Sequence, residues 1–204
     1  VQTCALPISL INQYNPDVAC FQEMVASDSF EKAINYMPDF KRKLKMLDYH
    51  YSYIKKLDFD KNHHFGIVIF SKYPIVNKET IILAPNSYNS TYQYADIVRN
   101  EDTFRIFNIH LQTLRFSPSN RYYLNDPSIK NEDDITESKS ILKKFQKGQS
   151  KHHYQSDCIK KEVDKSPYPV ILCGDFNDVP NSYAYNTIGK GFKNAFTEKR
   201  SEEH

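Results

Sequence analysis

Short apolar runs alternate with polar, turn-forming segments along most of the chain. Apolar or alternating runs of about four to eight residues between Gly, Pro, Asn and Asp are typical of β-strands. This pattern predicts strands over residues 17–22, 49–57, 65–70, 76–83, 92–98, 103–111 and 169–173. The polar turn 99–102 joins the fifth and sixth of these runs, so a β-hairpin is predicted there.

Helical spacing of apolar residues predicts the other elements. Helices are predicted to end at Tyr14, to cover 28–37, to cover 132–164 with a break near Gly148, and to cover 181–188, capped by Asn181 and stopped by Gly189. Asp28 and Glu31 form a capping-box pattern, and Pro38 is predicted to end the second helix. The stretch 114–131 is rich in Pro, Ser and Asn, which predicts an irregular segment.

Alternation of apolar strands with helices predicts a layered α/β fold whose helices protect the outer faces of the sheets. The chain has 204 residues, of which 40% are hydrophobic and 25% charged, as expected for a folded protein. No repeat or linker divides it, so residues 1–204 are predicted to form one domain, in which 1–8 lie outside the part that carries recognisable motifs. The four cysteines lack the paired spacing of zinc sites, and Cys20 and Cys173 are predicted to pack as buried thiols.

Charge and hydropathy narrow the functional classes only slightly. The formal net charge is +2, and acidic residues interrupt the lysines of 41–45 and 143–161, so these are interpreted as solvated faces rather than a nucleic-acid groove. No run reaches the roughly 20 apolar residues of a membrane span, and no signal-peptide pattern opens the chain. The sequence therefore does not indicate a cellular compartment. His63-His64 and His152-His153 lie among polar residues and are interpreted as solvated rather than as zinc ligands.

Polar side chains occur at the ends of three predicted strands, and the active sites of layered α/β folds usually lie at strand ends. Glu23 follows the first apolar run. A carboxylate there is either an ordinary surface group, which this segment alone favours, or a hard oxygen ligand for Mg²⁺. His110 shares one strand face with Ile106 and Asn108, and this polar pair is predicted to face away from one core. His110 is either structural or a donor to a phosphate oxygen.

The third strand runs into Gly174, Asp175, Phe176 and Asn177. Alternation places the carboxylate of Asp175 and the amide of Asn177 on one side, and Gly174 permits close backbone approach. Such a pair is able to orient a water and a phosphoryl oxygen. The same four residues are also typical of a plain exit from a strand into a turn.

Four ordered motifs, taken together, resemble those of the endonuclease/exonuclease/phosphatase superfamily. They are NPDVACFQE at 15–23, GIVIFSKYPI at 66–75, FNIHL at 107–111 and PVILCGDFNDVPNS at 169–182. The resemblance covers roughly residues 9–196, and four motifs in order are far more specific than one. It implies a two-sheet α/β sandwich of the DNase I-like type, with helices on the outer faces and the site at one edge.

The resemblance also implies roles for four residues and a metal. Glu23 and Asp175 would bind Mg²⁺ or Mn²⁺, which neutralises charge on the phosphoryl oxygens. Asp175 would also orient or deprotonate the attacking water, and Asn177 would hold that water or a phosphoryl oxygen. His110 would stabilise the transition state by a charge-assisted hydrogen bond or act as an acid. The implied activity is hydrolysis of a phosphoester, with a diester favoured.

Two family features do not appear in the sequence. Residues 1–8 do not resemble the family's first strand, which carries an Asn near the metal, and nothing after Phe196 supplies the final Asp-His pair. The resemblance therefore predicts a domain truncated at both ends, and hence an incomplete sandwich. It does not choose among a nucleic acid, a phospholipid headgroup and an inositol phosphate as substrate. No protein partner is inferred, and a monomer is expected.

Two other readings stay open. The chain is alternatively a binding module that keeps the fold and a phosphate ligand but has lost turnover, or an unrelated α/β binding domain in which the motifs are coincidence. The presence of Glu23, His110, Asp175 and Asn177 together argues against long-standing loss of chemistry.

Overall fold

A computed structural model of the chain describes residues 5–27, 34–46, 48–57, 60–84, 90–113, 117–125, 132–195 and 197. The chain divides into two compact units. The first unit contains Val1–Leu111 and Lys165–Phe176, and the second contains Gln112–Asp164 and Asn177–His204. The expectation of a single domain stays a prediction. Among the described helices, none combines the length and apolar character that crossing a membrane requires.

The first unit holds seven described strands and two described helices. They are α1 (Ala5–Tyr14), β1 (Val18–Ser27), α2 (Met37–Lys43), β2 (Asp48–Leu57), β3 (Asp60–Ser71), β4 (Ile75–Ile82), β5 (Thr91–Arg99), β6 (Asp102–His110) and β7 (Val170–Asp175). One sheet has the antiparallel order β1-β3-β2, and the other has the order β4-β5-β6-β7, in which only β6 and β7 run parallel. A parallel pair needs a long crossover, and the chain between β6 and β7 supplies one.

The two sheets of the first unit pack face to face. An apolar cluster between them draws side chains from both sheets: Ile69, Ala95, Ile97 and Ile106, with the partly buried Val18, Cys20, Phe104 and Cys173 packed against it. The thiols of Cys20 and Cys173 are free and lie 3.6 Å apart, sulfur to sulfur; they pack against each other as predicted, although both residues are only partly buried. This arrangement confirms the predicted two-sheet α/β sandwich.

A second apolar cluster covers the outer face of the three-stranded sheet. It joins α1 and α2 to β1 and β3 through Ile8, Met24, Ala26, Met37, Phe40, Leu44, Val68 and Phe70. The partly buried ring of Phe21 packs against this cluster, and its centroid lies 5.0 Å from that of Phe40 and 6.0 Å from that of Phe70. Helices therefore protect this face of the sheet, as predicted.

The four-stranded sheet carries a buried ion pair. Arg105 on β6 donates to both carboxylate oxygens of Asp96 on β5, at 2.7 and 2.8 Å, and its guanidinium lies 4.1 Å from the ring centroid of Tyr94. Both charged side chains are less than a tenth exposed. Bidentate geometry satisfies both charges, which compensates for the loss of water around them.

The second unit consists of helices in its described part. They are α3 (Pro118–Asn125), α4 (Glu132–Val163) and α5 (Tyr183–Gly189). Ser182 caps α5, because its hydroxyl accepts a hydrogen bond from the backbone N–H of Tyr185 at 3.1 Å. Helix α4 contacts both α3 and α5, so it forms the centre of this unit.

Several predicted elements differ from the structure. Residues 34–36 are not helical, and α2 begins at Met37 with Pro38 in its first turn, where the missing N–H of proline costs nothing. The remainder of the predicted helix, 28–33, lies outside the described residues. Helix α4 continues through Gly148 without a break, and α5 is capped by Ser182 instead of Asn181. Helix α3 occupies part of the segment predicted to be irregular.

Candidate functional site

Glu23 sits on a β-bulge in β1. Phe21 pairs with Val68 and Met24 pairs with Gly66, so Gln22 and Glu23 together lie opposite a single residue of β3. The φ angle of Glu23 is +54°, a left-handed conformation that non-glycine residues adopt at a cost of about 1–3 kcal/mol. A bulge turns a side chain away from its regular direction. The Glu23 side chain is 59% exposed, so it is open to a ligand.

His110 ends β6 and is almost fully buried, with 2% of the residue exposed. Its Nε2 has no hydrogen-bond partner among the described residues and lies 3.9 Å from a carboxylate oxygen of Glu23. Burial lowers the pKa of His110 below its usual range, although the Glu23 and Asp175 carboxylates oppose that shift. A buried ring nitrogen without a partner is costly, and it suits a group that awaits a ligand.

Asp175 ends β7 directly beside His110. The two residues are paired across the parallel strands, and the backbone N–H of Leu111 donates to the carbonyl oxygen of Asp175 at 3.0 Å. Gly174 makes this pairing possible. Its φ is +152°, and a Cβ at this position would lie 2.1 Å from the backbone oxygen of Ile109. Glycine is therefore required for β7 to approach β6 this closely.

The first unit thus brings together three of the four predicted site residues. Glu23 comes from the three-stranded sheet, while His110 and Asp175 come from neighbouring strand ends of the other sheet. Asn177 belongs to the second unit and has a φ of +48°. Its part in the predicted set stays a prediction, and so do the roles of the other three residues.

Hydrogen bonds of Asn108 and Gln22 connect the strands that carry Glu23 and His110. The amide nitrogen of Gln22 donates to the side-chain oxygen of Asn108 at 2.5 Å, and the Asn108 amide donates to the backbone oxygens of Phe21 at 3.1 Å and Val68 at 3.2 Å. Asn108 is fully buried, so the polar face of β6 points between the sheets and is not solvated. This network ties the bulge of β1 to β6. The hydrogen bond of Gln22 was not predicted from the sequence, although Gln22 directly precedes Glu23.

His152, predicted to be solvated, is instead buried in the second unit, with 1% exposed. Its Nδ1 lies 3.0 Å from the carboxylate of Asp178, and its Nε2 lies 2.6 Å from the backbone oxygen of Gln112. Both partners are oxygen acceptors, so both bonds form together only when each ring nitrogen carries a hydrogen. His64 is also buried, within β3, and its neighbour His63 accepts from the backbone N–H of Ile34. The burial of His64 and His152 was not predicted, because the residues directly before them in the sequence are polar.

Because the Asp178 carboxylate is paired with His152, we expect the folded state to lose stability in acid. Burial raises the pKa of the Asp178 carboxyl, but hydrogen bonds from His152 and the backbone N–H of Val179 outweigh it, and the net shift is downward. A carboxyl with a lowered pKa stabilises the folded state above its unfolded pKa of about 3.9, and this contribution is lost as pH falls through the folded value. When urea unfolding is measured from pH 6 down to pH 3, the free energy of unfolding should fall less in Asp178→Asn than in the unaltered chain.

Glu101 provides the control for this measurement, because it lies in the exposed turn between β5 and β6. Glu101→Gln should reproduce the acid loss of the unaltered chain. An equal loss in Asp178→Asn would show that the pair does not contribute to the pH dependence.

The donor set of the three clustered residues fits a hard divalent cation. Glu23 and Asp175 offer carboxylate oxygens, and Mg²⁺ is commonly held by one or two carboxylates with waters and substrate phosphates. Within the part of the chain that the structure describes, no group of three or more His, Cys, Asp and Glu side chains is arranged to hold a metal. The fit rests on the two carboxylates and on the unpartnered Nε2 of His110 beside them.

Comparison with known protein families gives one clear result. The model of the Endonuclease/Exonuclease/phosphatase family matches residues 8–201, which is nearly the whole chain. The match includes all four predicted site residues. Comparison with curated proteins gave no match.

Solved structures share the fold at low sequence identity. A humanized TDP2 of D. rerio with 14 mutations is 15% identical, with a TM-score of 0.56 over 94% of this chain and 60% of that one. A mannosyl-6-phosphatase of Bacteroides thetaiotaomicron is 14% identical, with a TM-score of 0.56 over 93% and 61%. Sphingomyelinase C of Streptomyces griseocarneus is 15% identical, with a TM-score of 0.56 over 91% and 60%. The present chain thus spans about 60% of the length of these proteins, and the similarity shows the fold alone.

Proposed function

Because this chain belongs to the endonuclease/exonuclease/phosphatase family, whose members are phosphoester hydrolases, we propose that the full-length protein is a hydrolase that depends on Mg²⁺ or Mn²⁺ and cleaves a phosphodiester. The observation that carries the proposal is the convergence of Glu23, His110 and Asp175 within the first unit. Two carboxylates beside a buried imidazole with an unpartnered nitrogen form a set that binds a cation and a phosphate together.

Each residue has a distinct task in this proposal. Glu23 and Asp175 would hold the divalent cation, which would supply charge neutralisation at the phosphoryl oxygens. Asp175 also orients the attacking water and accepts its proton. His110 donates a hydrogen bond from Nε2 to a phosphoryl oxygen, and it is already positioned by burial, so little reorganisation is needed. The role that the resemblance implies for Asn177, to hold the water or a phosphoryl oxygen, stays a prediction, because Asn177 belongs to the second unit.

The bulge at Glu23 supports this assignment independently. A left-handed non-glycine residue inside a strand is strained, and such strain collects at functional sites because the surrounding structure enforces a special side-chain direction. The hydrogen bond from Gln22 to Asn108 is one such enforcing contact. An ordinary surface glutamate would not need either feature.

A binding module with the same fold and no turnover is the second candidate. It would keep the cation and the phosphate ligand but would not transfer the phosphoryl group to water. The two candidates differ in product formation, not in ligand affinity. Measuring the released product therefore separates them.

The proposal is tested by hydrolysis assays on the full-length protein. The substrates are bis(p-nitrophenyl) phosphate, p-nitrophenyl phosphate, a single-stranded oligonucleotide, sphingomyelin and an inositol phosphate, which separate diesters from monoesters and one substrate class from another. Diester hydrolysis should require Mg²⁺ or Mn²⁺, stop with EDTA and return when the cation is restored. Glu23→Gln should need a higher Mg²⁺ concentration for half-maximal rate, since a carboxylate ligand is lost.

Glu101→Gln serves as the matched control, because it removes an exposed carboxylate far from the bulge in sequence and should leave the Mg²⁺ requirement unchanged. Hydrolysis that persists in EDTA would contradict metal dependence. Tight phosphate binding without any product would support the binding module instead.

A further inference from the structure

A cavity of about 190 Å³ lies within the second unit, on one side of helix α4. Three lysines line it, Lys144, Lys147 and Lys151, at spacings of three and four residues. Residues with these spacings lie on the same face of an α-helix. Gln112 and Thr113 form part of the other wall. Three lysine side chains therefore line one small space.

The lysines of this cavity are not paired with a described carboxylate, and the nearby carboxylate of Asp178 bonds to His152, which also lines the cavity. Within the described ranges, none of the three lysines forms a salt bridge, and the contacts of two of them are to neutral groups. Lys144 donates to the side-chain oxygens of Asn120 and Ser117, and Lys151 donates to the side-chain oxygen of Gln112 at 3.3 Å. The last turn of the same helix differs, because Lys160 there pairs with Asp164.

The neutral contacts of Lys144 and Lys151 restrain these two side chains without cancelling their charge. An ammonium group has three N–H donors, so a lysine that makes one or two neutral hydrogen bonds keeps a donor for a ligand. Gly148 lies among the three lysines and has no side chain to fill the cavity. The result is a polar, cationic and partly enclosed site.

We propose that the cavity formed by Lys144, Lys147, Lys151, Gln112 and Thr113 binds a compact phosphorylated ligand, such as a pyrophosphate or a phosphate group of a small molecule. Several lysine ammonium groups around one space attract multiply charged phosphate oxygens and donate charge-assisted hydrogen bonds to them. A cavity of this volume admits one or two phosphate groups, whereas a nucleic-acid strand needs an extended groove.

This proposal goes beyond phosphoester hydrolysis and does not rest on it, because the cavity residues are distinct from Glu23, His110 and Asp175. It also separates three lysines from the larger set that the sequence analysis interpreted as a solvated face. Lys139 and Lys161 lie on the same helix but do not line the cavity. They offer a matched comparison for charge removal.

The test is calorimetric titration of the full chain with inorganic pyrophosphate in the presence of EDTA, so that a divalent cation plays no part. The unaltered chain should bind pyrophosphate at one site, more weakly as salt is raised. The double variant Lys147→Gln/Lys151→Gln should bind at least about tenfold more weakly, and Lys139→Gln/Lys161→Gln should stay within about twofold of the unaltered chain. Both double variants remove two charges, so a difference between them is local.

A second measurement uses the unaltered chain alone and is independent of how the variants fold. Pyrophosphate should shift the backbone amide signals of Thr113 and Gly148 in NMR spectra, with saturation at the calorimetric stoichiometry. Three outcomes would overturn the proposal. They are no binding of pyrophosphate at millimolar concentration, equal weakening in both double variants, and binding of a single-stranded oligonucleotide without binding of pyrophosphate.

Discussion

Replacing Asp175 by asparagine should lower kcat for diester hydrolysis in the full-length protein by about 10³-fold. The substitution keeps the shape of the side chain but removes a negative charge that would bind the cation and accept the proton of water. General-base catalysis alone contributes about 10²–10⁴-fold, and loss of cation binding adds to it. Asp175 is paired with the buried His110 at the ends of β6 and β7, so the substitution removes the carboxylate that this strand pairing places beside the imidazole.

The matched control is Asp102→Asn, which alters an exposed carboxylate at the opposite end of β6. It should retain the full rate. His110→Ala should also lose activity by orders of magnitude, since it removes the donor to the phosphoryl oxygen. If Asp175→Asn and His110→Ala both turned over at the rate of the Asp102→Asn control, the assignment of the site would be wrong.

Gly174→Ala should destabilise the fold by about 3 kcal/mol or more. The added methyl group would lie 2.1 Å from the backbone oxygen of Ile109, which no side-chain rearrangement can relieve. Overpacking of a well-filled site costs about 1–3 kcal/mol, and an unfavourable φ adds about 1–3 kcal/mol. Since the methyl group must push β7 away from β6, Asp175 should move with it, and activity should fall in the molecules that stay folded.

Gly189→Ala is a natural control for this prediction. Gly189 ends α5, and an added Cβ there would meet no atom within 4 Å. Urea unfolding should therefore show a clear drop in the midpoint for Gly174→Ala and little change for Gly189→Ala. Equal midpoints for the two variants would mean that β6 and β7 do not approach as closely as described.

The sequence predicted the strands well for a physical reason. The run 65–70 in β3 is apolar and largely buried, so there the local pattern and the tertiary environment agree. The apolar run of β7 was also predicted as a strand, although none of its residues is fully buried. Helix boundaries were less predictable. Pro38 was interpreted as a stop although it starts α2, and Gly148 was interpreted as a break although α4 continues through it. Proline is compatible with a first helical turn, and tertiary packing overrides the low helix propensity of one glycine.

The candidate site was predictable as a list of residues, but its geometry was not. Motif order identified Glu23, His110 and Asp175, whereas the bulge at Glu23 depends on a register shift between β1 and β3 that alternation alone does not contain. The burial of His152 was missed for a similar reason. Its partners, Asp178 and the carbonyl of Gln112, are distant in sequence, and the polar residues next to it led to a wrong prediction of solvent exposure.

The most direct measurement is the position of a bound Mn²⁺ ion, located by its anomalous scattering in crystals of the full-length protein. We expect one Mn²⁺ ion coordinated by the carboxylate of Glu23, with the Asp175 carboxylate in its first or second coordination shell and the imidazole of His110 facing the same space. A Mn²⁺ ion bound elsewhere, with Glu23 and Asp175 directed to separate surfaces, would contradict the proposed site.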